Sequence, residues 1–127
     1  MFVAILQFHL MIDGATGLKD KRKVVRSVKD RLHKQHMVCV AEVDSLDTWN
    51  HATMGIVACN RNAEYLREQM QAIIGKLQSL PDARLADHAL EVVGVEVLTG
   101  EPVDEKGKPL WTEAERRDGE AQGEGAA

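Results

Sequence analysis

The chain has 127 residues, of which 44% are apolar and 28% charged, the composition of one ordinary globular domain rather than of a disordered chain. No apolar run reaches the ~20 residues that span a bilayer, and the N-terminus lacks the basic region and cleavage site of a secretory signal, so we expect a cytoplasmic protein without a membrane partner. The net charge of −4 is unevenly distributed. Residues 19–36 carry eight basic and two acidic side chains, whereas residues 101–127 carry four basic and eight acidic ones.

The first half of the chain predicts a strand, a helix and a second strand. Phe2–Ile12 alternates between an apolar face and a mixed face, which is typical of a strand with one side on the core. Leu18–His36 carries apolar residues at helical spacing on a narrow stripe, so most of the surface of this helix is charged. Val38–Val43 is short and β-branched, which favours a second strand.

The second half repeats the pattern and predicts the fold. Ala52–Cys59 is expected to be a strand, Arg61–Leu80 a helix, and Leu90–Leu98 a fourth strand. The order β-α-β-β-α-β predicts an α+β, ferredoxin-like sandwich with a four-stranded antiparallel sheet in the order 4-1-3-2 and both helices on one face. We assign residues 1–99 to this domain, with the two cysteines buried in its strands as small apolar residues.

Residues 100–127 are expected to form an acidic C-terminal tail that is mostly disordered. One segment of the tail has a helical signal, since Thr112 and Glu115 match a capping box that follows Leu110 and Trp111. Two interpretations stay open: a frayed half-turn, or a short anchor that docks on the domain or on a partner.

Two motifs resemble those of the YlxP-like family of small bacterial proteins of unknown function. The residues that match its pattern SLK-x-KR at the first helix are Leu18, Lys19, Lys21 and Arg22. The residues that match AEVD-x-x-D-x-W after the second strand are Glu42, Val43, Asp44, Asp47 and Trp49. The resemblance covers residues 1–98 and implies a ferredoxin-like fold with no established catalytic residue. Because family members are often encoded beside translation and ribosome-maturation genes, it also implies a ribosomal partner.

The basic helix and the turn before it form the first candidate site. A glycine-containing turn that leads into a helix presents N–H groups to an anion such as a phosphate, although the spacing is not that of a nucleotide-hydrolysing loop. Cations at steps of three and four residues form a ridge that can contact phosphates without reading sequence. The predicted contributors are Gly14, Gly17, Lys19, Lys21, Arg22, Lys23, Arg26 and Lys29. We therefore expect a non-enzymatic protein that contacts RNA or ribosome phosphates; a solvated helix is the alternative.

The acidic segment after the second strand forms the second candidate site. We expect Glu42, Asp44, Asp47 and Trp49 to make a partner-binding loop in a protein-interaction module. With His51, the carboxylates could instead form an oxygen-rich metal site or an acid/base pair. The chain has no zinc-ligand spacing and no recognisable nucleophile turn, so we predict no metal, no cofactor and no catalytic residue.

The outer face of the first strand is the last feature that the sequence singles out. Val3, Ile5 and Met11 lie on this face and would expose an apolar patch that monomers rarely tolerate. Cover by a second copy of the chain, or by Leu110 and Trp111, would remove it, so a homodimer through the sheet is a further expectation. His9 lies on the same face and would approach His51 if the register allows it.

Overall fold

A computed structural model describes residues 1–98 and 100–110 as one antiparallel sheet with two helices. The elements are β1 (Phe2–Met11), α1 (Leu18–Gln35), β2 (Cys39–Asp44), β3 (His51–Asn60), α2 (Ala63–Leu77), β4 (Arg84–Val95) and β5 (Pro102–Val103). The strand order is β2-β3-β1-β4-β5. The predicted α+β class is confirmed, but the sheet has five strands rather than the expected four.

The central strand β1 is built from strict alternation. Its inward side chains Leu6, Phe8 and Leu10 are fully buried, because β3 and β4 pair with β1 on both sides. At the middle of the sheet, Leu6 lies opposite Ile56 of β3 and Leu90 of β4. The alternation in the sequence therefore determines which side of the sheet faces the core.

Both helices contribute to a single core on that side of the sheet. The helix α1 buries the narrow stripe of Val25, Val28 and Leu32, and α2 buries a broader stripe that includes Leu66 and Met70. The helix α2 begins at Ala63, two residues later than predicted, since the Asn62 side chain accepts a hydrogen bond from the Tyr65 backbone and caps the helix. In the part of the chain that the structure describes, neither helix is long and apolar enough to cross a membrane.

The fifth strand lies within the segment that was expected to be a disordered tail. Val103 of β5 pairs with Gly94 of β4 and is only 5% exposed. A Cβ on Gly94 would approach the Val103 carbonyl oxygen to 2.6 Å, so only glycine allows β5 to pack this closely. Two residues of the predicted tail, Pro102 and Val103, are therefore part of the sheet. The capping box at residues 112–115 and the rest of the predicted tail, 111–127, lie outside the described residues.

Within residues 1–98 and 100–110, no helix packs on the opposite face of the sheet. Ile5 of β1 and Val57 of β3 lie side by side on it, and Val57 is 43% exposed. Cys39 and Cys59 lie on the same face and are exposed free thiols, which corrects the expectation that both cysteines are buried. Each cysteine follows the parity of its strand, because the neighbouring Val40 and Ala58 point into the core.

Candidate nucleic-acid interface

The helix α1 begins with a local hydrogen-bond arrangement around a carboxylate. Gly17 caps the helix without a side-chain bond, and Asp20 in the first turn accepts hydrogen bonds from the Thr16 backbone N–H (3.0 Å) and hydroxyl (2.8 Å). The Thr16 backbone bond is the main cause that lowers the pKa of Asp20, with smaller contributions from the Thr16 hydroxyl, Lys23 and Lys19. The predicted anion-binding turn thus already has a carboxylate from its own chain.

The loop beside this turn borders a cavity of about 600 Å³ that also reaches the segment before β4. Gly14, Asp20, Asp82 and Arg84 are among its lining residues, and Arg84 Nε lies 3.6 Å from Asp13 Oδ2. Because carboxylates line this cavity, the surroundings of Gly14 repel a phosphate as well as attract it. No sequence pattern pointed to Asp82 and Arg84, because they come close to Gly14 only through the pairing of β1 with β4.

The rest of α1 carries a dense set of cations. The exposed ones are Lys19, Arg22, Lys23, Arg26, Arg31 and Lys34, and Lys29 is half-buried. Within residues 1–98 and 100–110, none of these seven side chains takes part in an ion pair. From Lys19 to Lys34 the helix rises about 22 Å at ~1.5 Å per residue. We call this set the α1 cation surface.

A shallow groove of about 430 Å³ runs along the second half of the α1 cation surface. Its lining includes Lys23, Arg26, Arg31 and Lys34, with Asp30 as the one acidic member. Arg31 and Lys34 are absent from the predicted contributors, although they belong to the same basic segment. The structure therefore extends the predicted ridge by about one turn toward the C-terminus of α1.

Lys21 is separated from the α1 cation surface by its burial. Its side chain is 1% exposed, and its Nζ lies 2.7 Å from Glu42 Oε2 of β2. The same Nζ donates hydrogen bonds to the backbone carbonyls of Ser45 and Thr48, each at 2.6 Å. Lys21 was expected to contact a phosphate; its charge is instead satisfied inside the protein.

The Lys21 contacts join the two motifs on which the family resemblance depends. Glu42 belongs to the second motif, and the carbonyls that accept from Lys21 belong to the loop between β2 and β3. The backbone of Ser45 adopts the left-handed conformation, with φ of +58°. This conformation is unfavourable for a residue other than glycine, and the hydrogen bonds from Lys21 offset its cost. The loop is thereby fixed to the start of α1.

The remaining residues of the loop face solvent. Trp49 is 46% exposed and Leu46 is 60% exposed, and Asp44 and Asp47 are exposed as well. Glu42 is directed toward Lys21, so the predicted partner-binding loop keeps Asp44, Asp47 and Trp49 as its accessible members. No group of three or more histidine, cysteine, aspartate or glutamate side chains with metal-binding geometry occurs among the described residues.

His51 and His9 come together at the end of the uncovered sheet face. Their ring centroids are 6.0 Å apart in a stacked arrangement, which confirms that the register brings the two strands' histidines close. His51 Nε2 lies 3.1 Å from the Ser45 hydroxyl, which in turn lies 3.1 Å from the Thr53 hydroxyl. Among the described residues, His51 therefore contacts the Ser45 hydroxyl and the His9 ring, and no hydrogen bond or ion pair joins it to the carboxylates of the loop, as the alternative acid/base arrangement would need.

Comparisons with known proteins agree with the two motifs. The family model described as Protein of unknown function (DUF503) matches residues 3–90, which include β1, both helices, β2, β3 and half of β4. A protein named "Uncharacterized protein YlxP" from Bacillus subtilis (strain 168) is 24% identical over 80 residues, covering 63% of this chain and 87% of that relative. The family resemblance seen in the sequence is therefore confirmed.

Proposed function

The chain belongs to the family described as Protein of unknown function (DUF503), and from the charge on α1 we propose that it is a non-enzymatic protein that binds RNA phosphates. The observation that carries the proposal is the α1 cation surface, with seven cations that have no ion-pair partner within the described residues. Seven cations on one helix produce a positive field that attracts a polyanion, even in a chain whose net charge is −4.

Binding through this surface would be driven by counterion release. Each neutralised phosphate contributes ~0.7–0.9 to the slope of log affinity against log salt concentration. The outward positions of β1 and β3 carry no phenylalanine, tyrosine or tryptophan on which RNA-recognition domains stack bases, and their two histidines, His9 and His51, stack on each other. The proposed contact is therefore with the backbone, and it selects RNA shape and charge rather than base sequence.

The finer parts of the proposal rest on the family resemblance. Ribosomal RNA is the ligand we propose, because the resemblance implies a ribosomal partner, and this places the protein in the cytoplasm. We also propose that β1 to β4 with the two helices form a ferredoxin-like domain, to which β5 is an addition. The order β2-β3-β1-β4 supports this proposal, since it is the expected order 4-1-3-2 in reverse.

Co-sedimentation with small ribosomal subunits, and with bare ribosomal RNA across a salt series, tests the proposal. We expect binding that weakens steeply with salt and that falls at least about tenfold in an Arg22→Glu/Arg26→Glu variant. The matched control is Arg61→Glu/Lys106→Glu, which makes the same charge change at exposed positions outside α1 and should retain most of the affinity. Absence of binding at low salt, or equal losses in the two variants, contradicts the proposal.

The loop between β2 and β3 supports a second candidate function as a protein-interaction module. The specific observation is that Trp49 and Leu46 are exposed on a loop whose backbone Lys21 holds in place. A rigid exposed tryptophan loses little entropy on binding and is common at the centres of protein interfaces. A Trp49→Ala variant that folds and binds RNA normally, but loses a protein cross-link formed by the unaltered chain in cells, would favour this candidate.

A further inference from the structure

We propose that the uncovered face of the sheet is the interface of a homodimer, independently of any RNA binding by α1. The face has an apolar centre, where Val3 and Ile5 of β1 lie beside Cys59 and Val57 of β3, with Val93 of β4 next to Val3. Both helices and the core lie on the other side of the sheet. We call this centre the open-face patch.

The chemistry of the open-face patch does not suit a nucleic acid. Its side chains are aliphatic or thiol, and the acidic Glu91 lies next to Ile5, so the patch would repel phosphates rather than attract them. It also has no aromatic ring on which a base could stack. The α1 cation surface lies on the helix side of the sheet, so the two surfaces can act separately.

The remaining part of the chain is poorly suited to cover the patch. Residues 111–127 contain five acidic and two basic side chains, and Trp111 is their one large apolar residue. A single tryptophan is too small for a patch that crosses three strands, and the net negative charge of this segment would be brought close to Glu91. A second copy of the chain offers an apolar surface of the same size and shape.

The size of the face fits a weak, reversible dimer. With strands ~4.8 Å apart and ~3.4 Å per residue, four strands over six residues present a flat area on the order of 400 Å². Two such faces give about 800 Å² before side-chain relief and the rim are counted, which is below the ~1,200 Å² of stable complexes and within the range of weak, transient ones. We therefore expect dissociation in the micromolar range.

The symmetry of a homodimer is compatible with the residues at the centre. A two-fold interface brings the residues nearest its axis against their own copies, so like charges there would repel. Ile5 and Val57 at the centre, and Gln7 opposite Gly55 beside them, are uncharged. The exposure of Cys39 and Cys59 points in the same direction, because cysteine is among the residue types most often buried.

Sedimentation of the full chain over a concentration series tests the proposal. We expect the mass to rise from 14.1 kDa toward twice that value, and a Val57→Lys variant to dissociate at least about tenfold more readily, since each interface would bury two unpaired amines. Gln71→Lys is the matched control, because Gln71 is exposed on α2. A chain that stays monomeric, or a dimer that Val57→Lys leaves intact, overturns the proposal.

The two cysteines give a second measurement that needs no substitution. The chain has two cysteines and both lie on the proposed interface, so the rate of labelling by iodoacetamide should fall at least about fivefold between dilute and concentrated protein. Labelling that is equally fast at all concentrations overturns the proposal. If labelling of a monomer is slow at every concentration, the chain itself covers the cysteines. If only ribosomal RNA slows the labelling, RNA covers this face of the sheet. Either result also overturns the homodimer proposal.

Discussion

Lys21 and the cations around it belong to one helix and one motif, yet they occupy opposite environments. Lys21 is 1% exposed and holds Glu42 and the loop between β2 and β3, whereas its neighbours Arg22 and Lys23 are exposed without ion-pair partners among the described residues. A basic motif can therefore contain both a residue that stabilises the fold and residues that are available to a ligand. One position stabilises the fold, and the adjacent ones remain free to bind an anion.

Substitution of Lys21 is expected to have the largest effect on stability. Lys21→Met should lower the free energy of unfolding by about 3–5 kcal/mol, because it leaves the Glu42 carboxylate and the loop carbonyls without their partner. Lys23→Met, at an exposed position of the same helix, should change it by less than about 0.5 kcal/mol. Urea unfolding of the two variants measures the difference, and equal stabilities would refute the assignment of Lys21 to the fold.

Substitution of Glu42, the ion-pair partner of Lys21, tests how much of this stability comes from the ion pair. Glu42→Gln should cost about 1–3 kcal/mol, less than Lys21→Met, since Lys21 keeps the carbonyls of Ser45 and Thr48 as acceptors. The double variant Lys21→Met/Glu42→Leu should be more stable than Lys21→Met alone, because no carboxylate is then left unpaired. A double-mutant cycle in urea, with Lys21→Met and Glu42→Leu as the two single variants, measures the coupling. Strictly additive losses would mean that the ion pair contributes nothing beyond its hydrogen bonds to the loop.

The burial of Lys21 was readable in part from the sequence. Lys21 precedes Val25 by four residues and so falls on the stripe that Val25, Val28 and Leu32 continue. The helical spacing therefore places a lysine on the buried side of α1. The partners of Lys21 could not be predicted, because the carbonyls of the loop between β2 and β3 are distant from Lys21 in sequence and approach it only in the folded chain.

The alternation of apolar and polar residues predicts which face of the sheet is buried, but it does not predict the edge strand β5. The alternation of side chains along β1 and β3 correctly predicts the buried face. The same alternation places Cys59 outward, next to the inward Ala58, but the expectation of buried cysteines did not take it into account. The two-residue β5 has no alternation to detect. Its pairing depends on the missing side chain of Gly94, which is a contact between segments distant in sequence.

Neutralising single members of the α1 cation surface should reduce RNA binding without changing stability. We expect Arg31→Ala and Lys34→Ala each to weaken binding by about threefold and to lower the salt slope by less than about 1, because each removes at most one phosphate contact. Fluorescence anisotropy with a labelled ribosomal RNA fragment measures both quantities. Arg61→Ala, at an exposed position outside α1, is the control, and an equal loss there would show that net charge alone governs binding.

The smallest effect is expected at the C-terminal end of α1, where a histidine meets a cation. Lys76 Nζ donates to His36 Nε2 at 2.7 Å, and burial, followed by the positive charge of Lys76, lowers the pKa of His36 below 6.5. Well above pH 6.5 the ring is neutral in both the folded and the unfolded chain, so His36 adds no pH dependence to stability there. As the pH falls below 6.5, the unfolded chain takes up the proton before the folded one does, and stability decreases until the folded-state pKa is passed.

The loss from His36 should be the smallest of these effects, because solvent screens much of the interaction with Lys76. His36→Gln should therefore slightly flatten the dependence of the unfolding free energy on pH below 6.5, relative to the unaltered chain. His33→Gln, at an exposed position of the same helix, is the control, and it should flatten the curve less than His36→Gln does. If the two variants alter the curve equally, or if His36→Gln steepens it, the Lys76 contact does not hold His36 in its neutral form, and the difference between buried and exposed groups on α1 would be limited to Lys21.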